Sequence, residues 1–151
     1  MLKIKILSIG KLSYKEIYET CNRFKKMISR FGQIEILEFK ESNKPYPLNL
    51  EEEGKTMLKN IKGEYIILLD KKGKELSSEE FANIIKDKID NGENIAFIIG
   101  GHQGVSEEVK QKADYILSFS KMTFGHNIFR VMLLEQIYRA FSIIYGTEYH
   151  K

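Results

Sequence analysis

The chain has 151 residues, and 24 Lys and Arg against 21 Asp and Glu give a formal net charge of +3. That length supports one real core but excludes a core plus a separate recognition module, and so near-even a charge balance does not itself argue for nucleic acid. The single cysteine, Cys21, excludes an internal disulfide framework and fits a reducing compartment.

In residues 2–9, Leu2, Ile4 and Ile6 alternate with Lys3 and Lys5, which is the period of a strand. Those lysines break the apolar block that a signal peptide needs, and no later run is long enough to span a bilayer, so the expected location is cytoplasmic. Ser13 stands three residues before Glu16, as in a capping box, and Ile17, Cys21, Phe24 and Ile28 follow at helical spacing until Gly32. Lys15, Arg23, Lys25, Lys26 and Arg30 on this helix read as a solvated face. Residues 33–39 read as a second strand, and Pro45 and Pro47 mark the loop after it. Asn49 with Glu52 predicts the cap of a second helix, which carries Met57, Leu58 and Ile61 and closes at Gly63.

Residues 65–69 form a compact apolar strand ending at Asp70, with a charged turn over residues 71–74. Ser77 and Glu80 then open a helix that carries Phe81, Ile84, Ile85 and Ile89 and stops at Asn91-Gly92. Residues 95–99 are apolar without alternation, the mark of a parallel strand covered on both faces. They run into Gly100-Gly101-His102-Gln103-Gly104, and a short helix starts at Ser106. A last strand over residues 115–117 breaks into a small polar loop, residues 118–126. The helix that follows is apolar almost all round, through Val131, Leu133, Leu134, Ile137, Phe141, Ile143 and Ile144. A helix so short of polar surface must be buried, in part by a second subunit. The whole is an α/β domain over residues 1–151, a mostly parallel sheet flanked by helices. Ligands bind such sheets at the carboxyl ends of the strands, where Leu69-Asp70, residues 100–104 and residues 118–126 emerge.

Gly100-Gly101-x-x-Gly104 lacks the G-x-G-x-x-G spacing of a dinucleotide fold and the Gly-Lys-Ser/Thr of a phosphate loop, leaving a backbone-lined pocket wall or a tight structural turn. His102, His126 and His150 match no zinc pattern, and Ser118 and Ser120 have no nucleophile setting. His126 can cap, pack or exchange protons, and Glu135 and Arg139, four apart on the apolar helix, can pair.

Taken together, Leu68-Leu69-Asp70-x-x-Gly73-Lys74, Ser77-Ser78-Glu79-x-Phe81-Ala82, Ile98-Ile99-Gly100-Gly101-x-x-Gly104, Leu117-Ser118-x-Ser120-x-Met122-Thr123, Arg130-Val131-x-Leu133-x-Glu135-Gln136-x-Tyr138-Arg139-Ala140 and Tyr149-His150-Lys151 resemble the YbeA-type SPOUT methyltransferases, the RlmH family. The likeness spans the whole chain and is most specific after residue 65. It implies a homodimer with a C-terminal trefoil knot, S-adenosylmethionine as cofactor, no metal, and methylation of a pseudouridine ring nitrogen in 23S ribosomal RNA, on the assembled ribosome. By position it places the cofactor against Leu69, Gly100, Gly101, Phe119, Ser120, Lys121, Met122, Thr123 and Phe124. His126, Glu135 and Arg139 are its catalytic candidates, and Arg130, Tyr149, His150 and Lys151 its substrate contacts, with the tail near the partner's pocket. His102-Gln103 and Gly125 depart from the family pattern. The alternative reading is a non-catalytic RNA- or ribosome-binding factor of the same fold, which need not bind the cofactor.

Overall fold

The computed structural model describes residues 1–151. Its strands are β1 (Leu2–Ile9), β2 (Gly32–Phe39), β3 (Tyr65–Glu75), β4 (Ile95–Ile99) and β5 (Tyr115–Ser118). Its helices are α1 (Lys15–Ile28), α2 (Leu48–Leu58), α3 (Ser78–Asp90), α4 (Glu107–Lys112) and α5 (His126–Tyr145). The strands form one sheet in the order β2-β1-β4-β3-β5, and every neighbouring pair is parallel. The expected α/β architecture is present, with the sheet parallel throughout.

Strand alternation divides the apolar residues between two layers. Ile4, Ile6, Ile67, Leu69, Ile95, Phe97 and Ile99 face a core closed by α1, α3 and α5, and Leu7, Ile9, Ile66, Leu68, Ala96 and Ile98 face a smaller one that includes Met57, Val105 and Val109. All five residues of β4 are buried, as an unbroken apolar strand requires. On α5, Leu133, Leu134, Ile137 and Phe141 are buried within the chain itself.

Local caps held only where no distant partner competed. Ser77 and Glu80 form a complete capping box on α3, and Ser106 caps α4 through the backbone N–H of Val109. The expected Ser13 cap does not form. Helix α1 starts after Tyr14 without a side-chain cap, because Ser13 is bound to Asn127 at the start of α5. Helix α2 likewise starts at Leu48, with the Pro47 carbonyl accepting from Leu50 and Glu51. Asn49 therefore sits inside the first turn and donates to Gln103, while Glu52 is taken by Ser42 and Lys44. Ile61 lies beyond the end of this helix.

The expected turn at residues 71–74 is instead an irregularity inside β3, which continues to Glu75. Its pairing with β5 jumps, so that Leu117 is opposite both Leu69 and Lys74. Gly73 is required there: a Cβ would lie 2.6 Å from the Ile116 carbonyl oxygen, a backbone atom that cannot rotate away.

Candidate active site

The sheet register sets the site. Leu69 pairs with Ile99 on one side and Leu117 on the other, so β4 and β5 end level with Leu69, and β3 runs on past them to Glu75. Gly100 and Gly101 leave β4 on one side of β3 and Phe119 leaves β5 on the other, so the cofactor candidates from three separate segments emerge along one edge of the sheet. Gly100 has no room for a side chain, since a Cβ would come within 2.7 Å of the Gly104 carbonyl oxygen. The loop after β5 is shaped by its own serines: Ser118 Oγ donates to the Ser120 carbonyl at 2.9 Å, and Ser120 Oγ accepts from the Met122 N–H at 3.1 Å. Lys71, in the β3 irregularity, donates to Thr123 Oγ1 at 3.3 Å. Phe119 and Phe124 are anchored on Phe129 of α5, with ring centroids 5.0 and 6.3 Å apart, while Lys121, Met122 and Thr123 face solvent.

An adjoining cleft of about 400 Å³ lies between the start of α3, the end of β5 and the middle of α5. Leu76, Phe81, Leu117, Phe119, Val131 and Met132 form its apolar walls, and Glu135 and Gln136 bring polar groups to it. The cleft meets the strand-end segments at Leu117 and Phe119 and is not lined by Leu69, Gly100 or Gly101; an apolar enclosure with a few converging polar groups is the usual form of a small-molecule site.

Glu135 is the centre of a network that sequence spacing showed only in part. Its carboxylate accepts from Arg139 Nη2 at 2.6 Å and Nε at 3.2 Å, and from the Tyr149 hydroxyl at 2.7 Å. His150 contacts Arg139 through Nδ1 at 3.1 Å and Glu79 through Nε2 at 2.8 Å. Tyr149 stands edge-on to Tyr138 at 4.7 Å. Burial pushes the Glu135 carboxyl up, but the hydrogen bonds from Arg139 and Tyr149 outweigh it and hold the group below the usual carboxylate range. Burial and the Glu135 charge raise the Tyr149 phenol, so hydroxyl and carboxylate are fixed as donor and acceptor. The tail thus folds onto α5 and α3 of its own chain, with His150 half-buried and Lys151 exposed. Glu79 had no local signal for this role, because it meets His150 only through the packing of α3 against α5.

The three catalytic candidates do not form one cluster. His126 lies nine residues before Glu135 on the same helix, a rise of about 13 Å. Its Nε2 is 3.4 Å from Arg130 Nη2, and both Arg130 Nη groups lie 3.2 Å from Glu38. Arg130, expected to contact substrate, is 1% exposed, and Glu38 at the end of β2 holds its charge inside the protein. Burial, then the Arg130 charge, lowers the His126 pKa from its ordinary 6.5. A depressed folded pKa gives stability that is present above 6.5 and lost as pH falls through the folded value. Replacing His126 by Asn is therefore expected to flatten the fall in melting temperature between about pH 7 and 5, and thermal melts across that range check it.

The family model described as a predicted SPOUT methyltransferase matches residues 2–150. The chain belongs to the SPOUT methyltransferase family. This SPOUT enzyme uses S-adenosylmethionine as its methyl donor, as the family does. Among its relatives, the ribosomal RNA large subunit methyltransferase H of Caldicellulosiruptor bescii is 50% identical over 98% of this chain and 99% of that protein. The protein of the same name from Clostridium botulinum strain Kyoto is 43% identical over 99% of this chain and all of that one. A solved structure of a probable methylase family protein from Haemophilus influenzae Rd KW20 superimposes with a TM-score of 0.56 at 11% identity, covering 98% of this chain and 70% of that one. A putative methylase family protein from Neisseria gonorrhoeae gives 0.52 at 9% identity, over 96% and 94%. These structural likenesses show the fold.

Proposed function

We propose that this SPOUT methyltransferase, acting as a single domain over residues 1–151, methylates a pseudouridine ring nitrogen in large-subunit ribosomal RNA. The observation that carries the reading is the 50% identity, over nearly the full length of both chains, to a ribosomal RNA large subunit methyltransferase H. S-adenosylmethionine supplies a methyl group already activated on a sulfonium, so the transfer needs no metal. Leu69, Gly100, Gly101, Phe119, Ser120, Lys121, Met122, Thr123 and Phe124 hold and orient the donor. As the N–CH₃ bond forms and the S–CH₃ bond breaks, the ring nitrogen must give up its proton. In this reading the Glu135 carboxylate, ionised and braced by Arg139, receives or directs that proton; Tyr149 and His150 complete its surroundings, and Lys151 meets phosphate. Alignment is the main contribution of such a site, worth up to roughly 7–11 kcal/mol in favourable intramolecular models. A protein this small has little surface for reading extended RNA, which favours the assembled ribosome as substrate and the cytoplasm as location; no helix is long and apolar enough to cross a membrane.

The test is transfer of labelled methyl from S-adenosylmethionine to ribosomes from a strain lacking its own enzyme. Label on one pseudouridine of the large subunit is expected. A protein that binds the donor and leaves those ribosomes unlabelled is instead the non-catalytic factor.

The working unit in this reading is a homodimer. Ile128 is 52% and Met122 73% exposed, and Tyr14 and Tyr18 are likewise exposed at the start of α1, which the Ser13–Asn127 bonds tie to the start of α5. Replacing Ile128 by Glu is expected to give monomers in light scattering at concentrations where the parent chain is dimeric. An unchanged mass counts against this interface.

A further inference from the structure

A second, polar cleft of about 200 Å³ lies between the glycine loop and the segment that joins β2 to α2. Its chemistry is not used by methyl transfer as described above. Asn49 is only 9% exposed, donates through Nδ2 to Gln103 Oε1 at 2.8 Å, and leaves Oδ1 buried without any partner. An orphaned buried acceptor costs about 1–3 kcal/mol unless something binds it. Glu53, also buried, spends one carboxylate oxygen on the Ser42 N–H at 2.8 Å and lines the same cleft. Tyr46 forms a wall and is 66% exposed, a large aromatic face with nothing packed over it. Gly101 connects the cleft to the cofactor edge: a Cβ there would point at Ile9 and Glu41, the side on which the cleft lies.

From this geometry we infer that the cleft takes one unpaired nucleobase of the RNA substrate, stacked on Tyr46, with its exocyclic amino group donating to Asn49 Oδ1 and the acidic lining. The inference rests on the proposed action on RNA and adds a second base site to it. Single-stranded RNA is read in this way, by splayed bases on aromatic faces with hydrogen bonds to the base edge. Glu41, Glu53 and the Asn49 amide oxygen are the acceptors of the lining, and its one lysine, Lys44, is held by Glu52, so the occupant must bring N–H donors, which favours cytosine or adenine over uracil. A volume of about 200 Å³ accommodates one base.

The probes are hexacytidylate and hexauridylate, added to isotope-labelled full-length protein while the side-chain amide resonances of Asn49 and Gln103 are followed. Hexacytidylate is expected to shift those resonances with a Kd at least about tenfold below that of hexauridylate. Tyr46→Ala should weaken hexacytidylate by about tenfold, the range expected of base–aromatic stacking. Asn49→Leu should erase the preference for cytosine, and neither variant should change the calorimetric Kd for S-adenosylmethionine. Resonances that do not move, equal affinity for the two hexamers, or a parallel loss of donor affinity in the variants would each overturn the inference. Because the readout is binding to protein alone, ribosomes that stay unmethylated while hexacytidylate binds would count against the proposed substrate and leave this cleft standing.

Discussion

Replacing Glu135 by Gln is expected to lower the turnover of methyl transfer by about 10²–10⁴-fold, the usual contribution of a positioned acid or base, while the affinity for S-adenosylmethionine stays as it was. The carboxylate accepts from two Arg139 nitrogens and from Tyr149, and an amide offers one oxygen and no charge in place of two charged ones. Arg139 and the tail would both lose their common partner. Donor binding is spared because the residues assigned to it lie on the strand-end loops. Single-turnover rates with ribosomes, set beside calorimetry of the donor, separate the two effects. Turnover within threefold of the parent enzyme would remove Glu135 from the chemistry.

The largest loss of stability is expected from Phe141→Ala, at about 3–5 kcal/mol. Phe141 is fully buried in the main core, stacks on Phe31 at 5.6 Å and on Tyr145 at 6.3 Å, and its ring edge is 3.1 Å from where a Cβ on Gly32 would stand. Sheet and helix meet there with no slack, so the cavity left by truncation cannot close cheaply. For a chain of this size the melting temperature should fall by on the order of 10 °C. A shift of a degree or two would mean that α5 is held mainly by its other contacts, or by a partner subunit.

Much of the fold was legible because it rests on patterns that tertiary structure reinforces. The unbroken apolar run of residues 95–99 is buried on both faces, and Ser77 and Glu80 build the cap their spacing announces. The three segments arrive at one edge because the parallel register sets Leu69 level with Ile99 and Leu117. Failures came where a side chain had a better offer from far away. Ser13 leaves its own helix for Asn127, and Asn49 leaves its own for Gln103. No local rule reveals a partner more than fifty residues off, as both are.

The same limit applies to the site. Spacing alone brought Glu135 and Arg139 together, but the roles of Tyr149, His150 and Glu79 depend on how the tail returns across α5 to α3. Arg130 was assigned to substrate by the resemblance, and its spacing on the helix gave no hint of its partner. Only the structure shows that Glu38, from the far edge of the sheet, encloses it. Lys71 and Thr123 escaped notice as a pair for a related reason: the extension of β3 past Leu69 carries Lys71 to the loop after β5.

A crystal structure of the protein with S-adenosylmethionine bound tests the central claim most directly. The adenosyl group should lie at the carboxyl edge of the sheet, touching Leu69, Gly100, Gly101 and residues 119–124, with its methyl directed toward Glu135. Donor found only in the cleft beside Tyr46, or no binding at saturating concentration, would contradict it.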